Sequence, residues 1–180
     1  MLIDRYKSQI LVVDMQERLA PAIDGGAAVE GQCGILLRAA REVAVPVIFS
    51  EQYRKGLGAT LPPLLALAEG AQIYEKMEFS CFANAELNLA LTSELSRTTI
   101  ICGIEAHVCV LQTALEMATA GRPICVVADA VGSRRPESRA IALARMRAAG
   151  IDVVTTEMVL FEWLRSAAVP EFKPVSRLIR

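Results

Sequence analysis

The chain reads as an α/β protein of three layers, α/β/α, with helices on both faces of a six-stranded, mostly parallel, Rossmann-like sheet. Three observations carry this. Apolar, β-branched runs alternate with amphipathic helical patterns from end to end, the mark of strand–helix–strand crossovers. The strand-like runs are continuously apolar rather than alternating, as in strands covered on both faces. The core vocabulary is aliphatic, since 53% of the residues are hydrophobic and only 5% aromatic. A length of 180 residues suits one well-buried core and is short for two ordinary domains, so 1–180 is expected to form one domain.

The elements follow in order. Residues 9–15, QILVVDM, are an apolar run closed by an acid, as at the end of a buried parallel strand. Residues 45–50, 71–76, 97–103, 122–130 and 151–156 repeat the theme. Between them, Ile35, Leu36, Ala39, Ala40 and Val43 form one helical stripe, and Val110, Leu111, Ala114, Leu115 and Ala118 a second. A third runs through Ala140, Ile141, Ala144 and Ala148, with Ser133 or Pro136 marking its start. Gly121 and Gly150 stand where helices end. Residues 51–64 hold Gly56, Gly58 and Pro62-Pro63 and are expected to form an irregular loop.

Composition excludes several classes of function. The net charge is -1 with charges interspersed, so no nucleic-acid partner is expected. The longest apolar runs are too short to span a bilayer, and the first residues lack a signal-peptide layout, so a cytoplasmic protein without a membrane partner is expected. Five cysteines without a CxxC pair read as free thiols of a reducing compartment, with Cys102 and Cys125 as packing residues. Neither GxGxxG nor GxxxxGK[ST] occurs, and no phosphate cradle is expected.

In parallel sheets ligands bind beyond the carboxyl ends of the strands. Three chemically capable residues fall there: Asp14 after the first strand, Lys76 after the third and Cys109 just past the fourth. A thiol becomes a strong nucleophile only as thiolate, which a helix start and a nearby ammonium favour. A carboxylate in reach can take the thiol proton and return it to a leaving amine. Each residue alone has a plainer reading: a strand-end cap, a solvated lysine, a packed thiol. Together at three strand ends those readings fit poorly.

The residues ILVVDMQ (10–16), EKMEFSCF (75–82) and GIEAHVCVLQTA (103–114) resemble the signature blocks of the isochorismatase-like cysteine hydrolases. That superfamily includes nicotinamidases and N-carbamoylsarcosine amidase. The resemblance implies Asp14 as general base, Lys76 as the cation lowering the thiol pKa, and Cys109 as nucleophile. It also implies a non-proline cis peptide at Ile104–Glu105, aiming the Glu105 N–H together with that of Cys109 at an oxyanion. The implied reaction is hydrolysis of a C–N bond in a small amide or related acyl compound through a Cys thioester.

There are departures from the family pattern. Nicotinamidases carry an Asp-x-His…His metal motif after the second strand, where this chain reads FSEQYRKGLGATL (49–61). His107 is the sole histidine and cannot build that site, so no metal and no cofactor are expected. Isochorismatases proper cleave a vinyl ether without a cysteine nucleophile, and that reaction stays open beside acyl chemistry. A non-catalytic scaffold that keeps the fold is a further alternative, as is a redox role with Cys81 or Cys102 resolving Cys109.

Around this core, Gln16 either orients Asp14 or caps a turn. Tyr53, Phe79 and Phe82 are candidates for the substrate pocket, with exposed loop and core packing as their plainer readings. His107 is two residues from the thiol, a spacing at which the side chains do not face each other, and is expected at the pocket rim. Cys81 is expected to be inert. The tail EFKPVSRLIR (171–180) is expected to dock on another protomer, making a homo-oligomer, dimer or larger, that acts on a small-molecule substrate.

Overall fold

A computed structural model describes residues 2–94 and 97–179. Six strands form one sheet: β1 (Ser8–Val13), β2 (Val47–Gln52), β3 (Gln72–Lys76), β4 (Thr98–Ile104), β5 (Ile124–Gly132) and β6 (Asp152–Val154). Their order is β3-β2-β1-β4-β5-β6 and every pairing is parallel. The eight α-helices among the described residues are α1 (Gly26–Glu42), α2 (Arg54–Leu57), α3 (Pro62–Leu65), α4 (Ala85–Thr92), α5 (Leu111–Thr119), α6 (Pro136–Ala148), α7 (Thr156–Leu164) and α8 (Phe172–Ser176).

The sheet separates two apolar cores. Ile10 and Val12 of β1 face a core shared with α1, α7 and α8, whereas Leu11 and Val13 face one shared with α4, α5 and α6. Both sides of the strand are covered, which is why its sequence carries no polar alternation. Helix starts are chemically specified. Asn84 caps α4 through Leu87 N–H, Thr155 caps α7 through Met158 N–H, and Pro136 opens α6.

Four local expectations need correction. The strand expected at 45–50 runs on to Gln52, placing Glu51 and Gln52 in register with Glu75 and Lys76. The loop at 51–64 contains the short helices α2 and α3. In α6 the buried residues are Ala142, Leu143 and Met146, while Ile141 is 69% exposed, so the expected stripe is out of phase. Alanines are spread around that helix and fix its phase weakly, whereas Arg139 donates to the Val131 and Ala128 carbonyls and turns its own face toward the sheet. The tail does not stand free: Val175 is buried, and Phe172, Leu178 and Ile179 pack on the α1 core. Its last residue, Arg180, lies outside the described residues.

The chain runs outward from β1 through β2 to β3, then returns to place β4 on the other side of β1. The helices after β1 and β4 therefore leave on opposite faces, which opens a crevice at the carboxyl ends of these strands.

Candidate active site

Asp14 follows β1 directly and is wholly buried, with a backbone φ of 50°. Its N–H donates to the Ser50 carbonyl at 3.1 Å, which extends the β1–β2 ladder by one rung. Gly103 makes the approach possible on the other side. It has φ 108°, and a Cβ there would lie 2.1 Å from the Val13 carbonyl oxygen. Any side chain would push β4 away from the strand that carries Asp14.

Both carboxylate oxygens of Asp14 are engaged. The Ser50 hydroxyl donates to Oδ1 at 2.7 Å and the Lys76 ammonium to Oδ2 at 2.8 Å. Lys76 ends β3, and its Nζ also donates to Gln52 Oε1 at 2.6 Å and to the Phe79 carbonyl at 3.2 Å. Three protons meet three acceptors, as a buried ammonium needs. Burial opposes the charge on Lys76, but Asp14 chiefly, with Cys81 and Cys109, outweighs it and raises the pKa above the ordinary lysine value. The two side chains are shut away from solvent, so removing either partner leaves an uncompensated charge.

Cys109 sits in a π-helical turn, Ala106–Val110, between β4 and α5. The Val110 N–H reaches the Glu105 carbonyl at 3.2 Å, and Thr113 Oγ1 donates to the Cys109 carbonyl at 2.6 Å. The Cys109 sulfur lies 4.0 Å from Gln52 Oε1. Burial pushes its pKa well above the ordinary thiol value, and Asp14 adds to this by its charge and as a hydrogen-bond acceptor, while Lys76 opposes. Lys76 acts on the thiol in the lowering direction, and burial with Asp14 acts against it.

Asp14, Lys76 and Cys109 thus share one crevice. The sequence reading missed Ser50 and Gln52; Ser50, a polar residue at the expected end of β2, carried the same signal that singled out Asp14, whereas Gln52 lay past that expected end. Cys81 is also closer to this group than expected. Its thiol donates to Ser50 Oγ at 3.4 Å, and burial pushes its pKa up to about 11.

The remaining candidates separate. The Ile104–Glu105 peptide is cis. Gln16 neither touches Asp14 through its side chain nor presents a face to solvent. Its amide donates to the Gln52 and Gly58 carbonyls and accepts the Gln52 N–H, so it ties β2 to the following loop. Tyr53 is half-exposed, with its N–H on the Lys76 carbonyl and its ring over Gly56. Phe79 is exposed beside Lys76. Phe82 packs against the α5 core and lines a separate surface cleft with Leu115 and Glu116. His107 Nδ1 pairs with Ser133 Oγ at 3.0 Å, and Glu105 accepts from Arg134 Nε at 3.0 Å.

Among the described residues no cluster of three or more His, Cys, Asp or Glu is placed to hold a metal ion. No helix of these residues is long and apolar enough to cross a membrane.

Comparison with known proteins agrees with this arrangement of strands and loops. The Isochorismatase domain family model matches residues 8–158. The chain belongs to the isochorismatase family. It is 37% identical over 172 residues to isochorismatase domain-containing protein 2 of Danio rerio, covering 96% of this chain and 86% of that one. Among solved structures it is similar to the MAR1 ribonuclease of Caenorhabditis elegans, with a TM-score of 0.93, 36% identity, and 99% and 92% of the two chains covered. It also matches the Escherichia coli YcaC gene product, described as an octameric hydrolase of unknown specificity, with a TM-score of 0.92, 23% identity, and 99% and 90% covered. At that identity the likeness shows the fold alone, which is the isochorismatase-like hydrolase fold.

Proposed function

We propose that this isochorismatase-family chain is a cysteine hydrolase of the C–N bond in a small amide or related acyl compound. The observation that carries the reading is the enclosed meeting of Asp14, Lys76 and Cys109 at three strand ends. Cys109 keeps its proton at rest. As its sulfur attacks the carbonyl, Asp14 takes that proton, and the Glu105 and Cys109 N–H groups hold the oxyanion. Asp14 returns the proton to the departing amine, leaving a thioester, and then activates the water that releases the acid and the free thiol. Ser50 and Lys76 fix the carboxylate throughout, and Gln52 holds the lysine. Tyr53 and Phe79 stand at the mouth.

The whole of 1–180 acts as one domain in this reading, in a cytoplasmic homo-oligomer. The octameric state of the E. coli YcaC protein supports the oligomer. The test is a panel of small amides, carbamoyl compounds and isochorismate, with product release measured for the wild type and Cys109→Ser. Ammonia or amine release that Cys109→Ser abolishes, with a hydroxylamine-trappable acyl enzyme, is the expected result. Isochorismate turnover surviving in Cys109→Ser would instead establish vinyl-ether chemistry, and no turnover with any compound would favour a scaffold.

RNA cleavage is a second reading, raised by the name of the C. elegans relative. The adjacent guanidinium groups of Arg134 and Arg135 favour it. The enclosed position of Asp14 and Lys76, which a polymer backbone cannot reach, weighs against it. An RNA oligonucleotide in the same panel decides the point.

A further inference from the structure

The Glu105 N–H, which the proposed mechanism aims at the oxyanion, lies just past β4 and donates to no backbone acceptor among the described residues. Glu105 itself is buried and held from two directions. Its carbonyl accepts the Val108 N–H at 3.1 Å and the Val110 N–H at 3.2 Å, which fixes it to the turn that carries Cys109. Its side chain reaches the connection between β5 and α6. There Oε2 accepts the Arg134 backbone N–H at 3.1 Å and Arg134 Nε–H at 3.0 Å. Two residues on, His107 repeats the tie, with Nδ1 3.0 Å from Ser133 Oγ. The connection is anchored in turn: Gly132 is in register with Ile104, and the Ser133 carbonyl accepts the Asp24 N–H at 3.1 Å.

An oxyanion donor accelerates a reaction only when it is held in advance where the charge develops, and a misplacement of about 1 Å can cost about a hundredfold. The two ties suit that task better than that of holding the fold. The Arg134 side chain is 60% exposed, so its ion pair with Glu105 adds little to stability. Its loss still leaves the Arg134 backbone N–H on the buried carboxylate. Neither Arg134 nor Ser133 hydrogen-bonds to Asp14, Lys76 or Cys109. We propose that Arg134, acting through Glu105, and Ser133, acting through His107, are positioning residues of the oxyanion pocket. Resting on the hydrolase reading, these two residues set how readily the thiol adds to a carbonyl, without a hydrogen bond to the thiol or to its base.

An aldehyde probe tests this without knowledge of the natural substrate. The Cys109 thiol adds to a small aldehyde: an S–C bond replaces the carbonyl π bond, and the thiol proton passes by way of Asp14 to the new oxygen, which occupies the oxyanion position. Iodoacetamide alkylates the same sulfur by displacement of iodide and forms no oxyanion. In the full-length protein, the affinities of acetaldehyde and butyraldehyde are read from the protection they give Cys109 against iodoacetamide, followed by peptide mass. Arg134→Gln and Ser133→Ala are each expected to weaken aldehyde binding about tenfold, with the alkylation rate within about twofold of wild type. Arg134→Lys, which keeps a donor for Glu105, should restore most of the affinity. For any amide that is turned over, kcat should fall with KM little changed. Unaltered aldehyde affinity in one variant removes that residue, and in both it overturns the assignment while the hydrolase reading stands. Equal losses of aldehyde affinity and alkylation rate also overturn it, as general damage to the site. Failure of wild-type Cys109 to add either aldehyde sinks the hydrolase reading, and the positioning roles with it.

Discussion

The two faces of the sheet each bury a group of thiols, and the two groups differ in the side chains that surround them. On the α1 face, Cys33, Cys102 and Cys125 lie in a core of aliphatic side chains. Cys33 interacts with Cys102, and together with burial this pushes the Cys102 pKa well up. Burial does the same to Cys125. On the opposite face lie Cys81 and Cys109, and burial is again the main cause of their raised pKa values. The direction of the pKa shift therefore does not tell Cys109 from the packed thiols. The difference is company: Cys102 has two other thiols for neighbours, whereas Cys109 has a carboxylate and an ammonium. In the proposed mechanism Cys109 passes its proton to Asp14 at the moment of attack, with no thiolate formed beforehand.

The largest test of this contrast is to delete one thiol from each face. Cys109→Ala is expected to lower amide turnover by roughly 10⁴-fold or more with the fold intact, because the covalent path is gone. Cys102→Ala should leave kcat unchanged and lower unfolding free energy by about 1–2 kcal/mol, read from urea melts, as a small cavity in a packed core does. Equal loss of activity in both would erase the distinction between the faces.

Asp14→Asn sharpens it next. Turnover should fall by about 10²–10⁴-fold for want of a general base. Alkylation of Cys109 by iodoacetamide at pH 8 should become faster, because the nearest negative charge has been removed from the thiol. Slower alkylation would mean that Asp14 assists ionisation at rest.

Gln52→Leu is expected to act more mildly. It removes an acceptor from the Lys76 ammonium, one that also lies 4.0 Å from the Cys109 sulfur. A hydrogen bond to a charged group contributes roughly 1.5–3 kcal/mol, so kcat/KM should drop about tenfold to a hundredfold. An unchanged value would demote Gln52 to a packing residue.

The smallest effect is on stability against pH. Folding raises the pKa of Cys81 to about 11 and those of Cys109 and Cys125 upward, against about 8.5 for an unfolded thiol. Above the unfolded value the unfolded chain loses these protons while the fold keeps them. The stabilisation is thus complete below about pH 8.5 and is lost as pH rises through the folded values. The urea midpoint should be level from pH 6 to 8 and fall progressively toward pH 11, less steeply in Cys125→Ala.

Much of this was legible from pattern alone. Asp14, Lys76 and Cys109 stood out because each is a chemically capable residue where an apolar run ends, and the chain's alternation of runs placed those ends on one edge. Ser50 carried the same signal but was hidden in a run expected to stop there. Gln52 lay beyond the expected end of its strand, and only the β2–β3 register sets it against Lys76. The phase of α6 was misread because alanine is tolerated on either face of a helix and marks neither. The tail was misread because apolar residues in a short segment do not say whose core they join.

The sequence by itself determined the layered α/β class, the covering of both sheet faces and the residue types that end the strands, because each depends on periodicity within a few neighbouring positions. The tertiary structure alone decided that β1 lies between β2 and β4, that Ser50 and Gln52 complete the polar group, and that burial and Asp14 push the Cys109 pKa upward. Strand order and register arise from contacts distant in the chain. A pKa is set by every charge and every layer of burial around the group, and no local stretch of residues contains that sum.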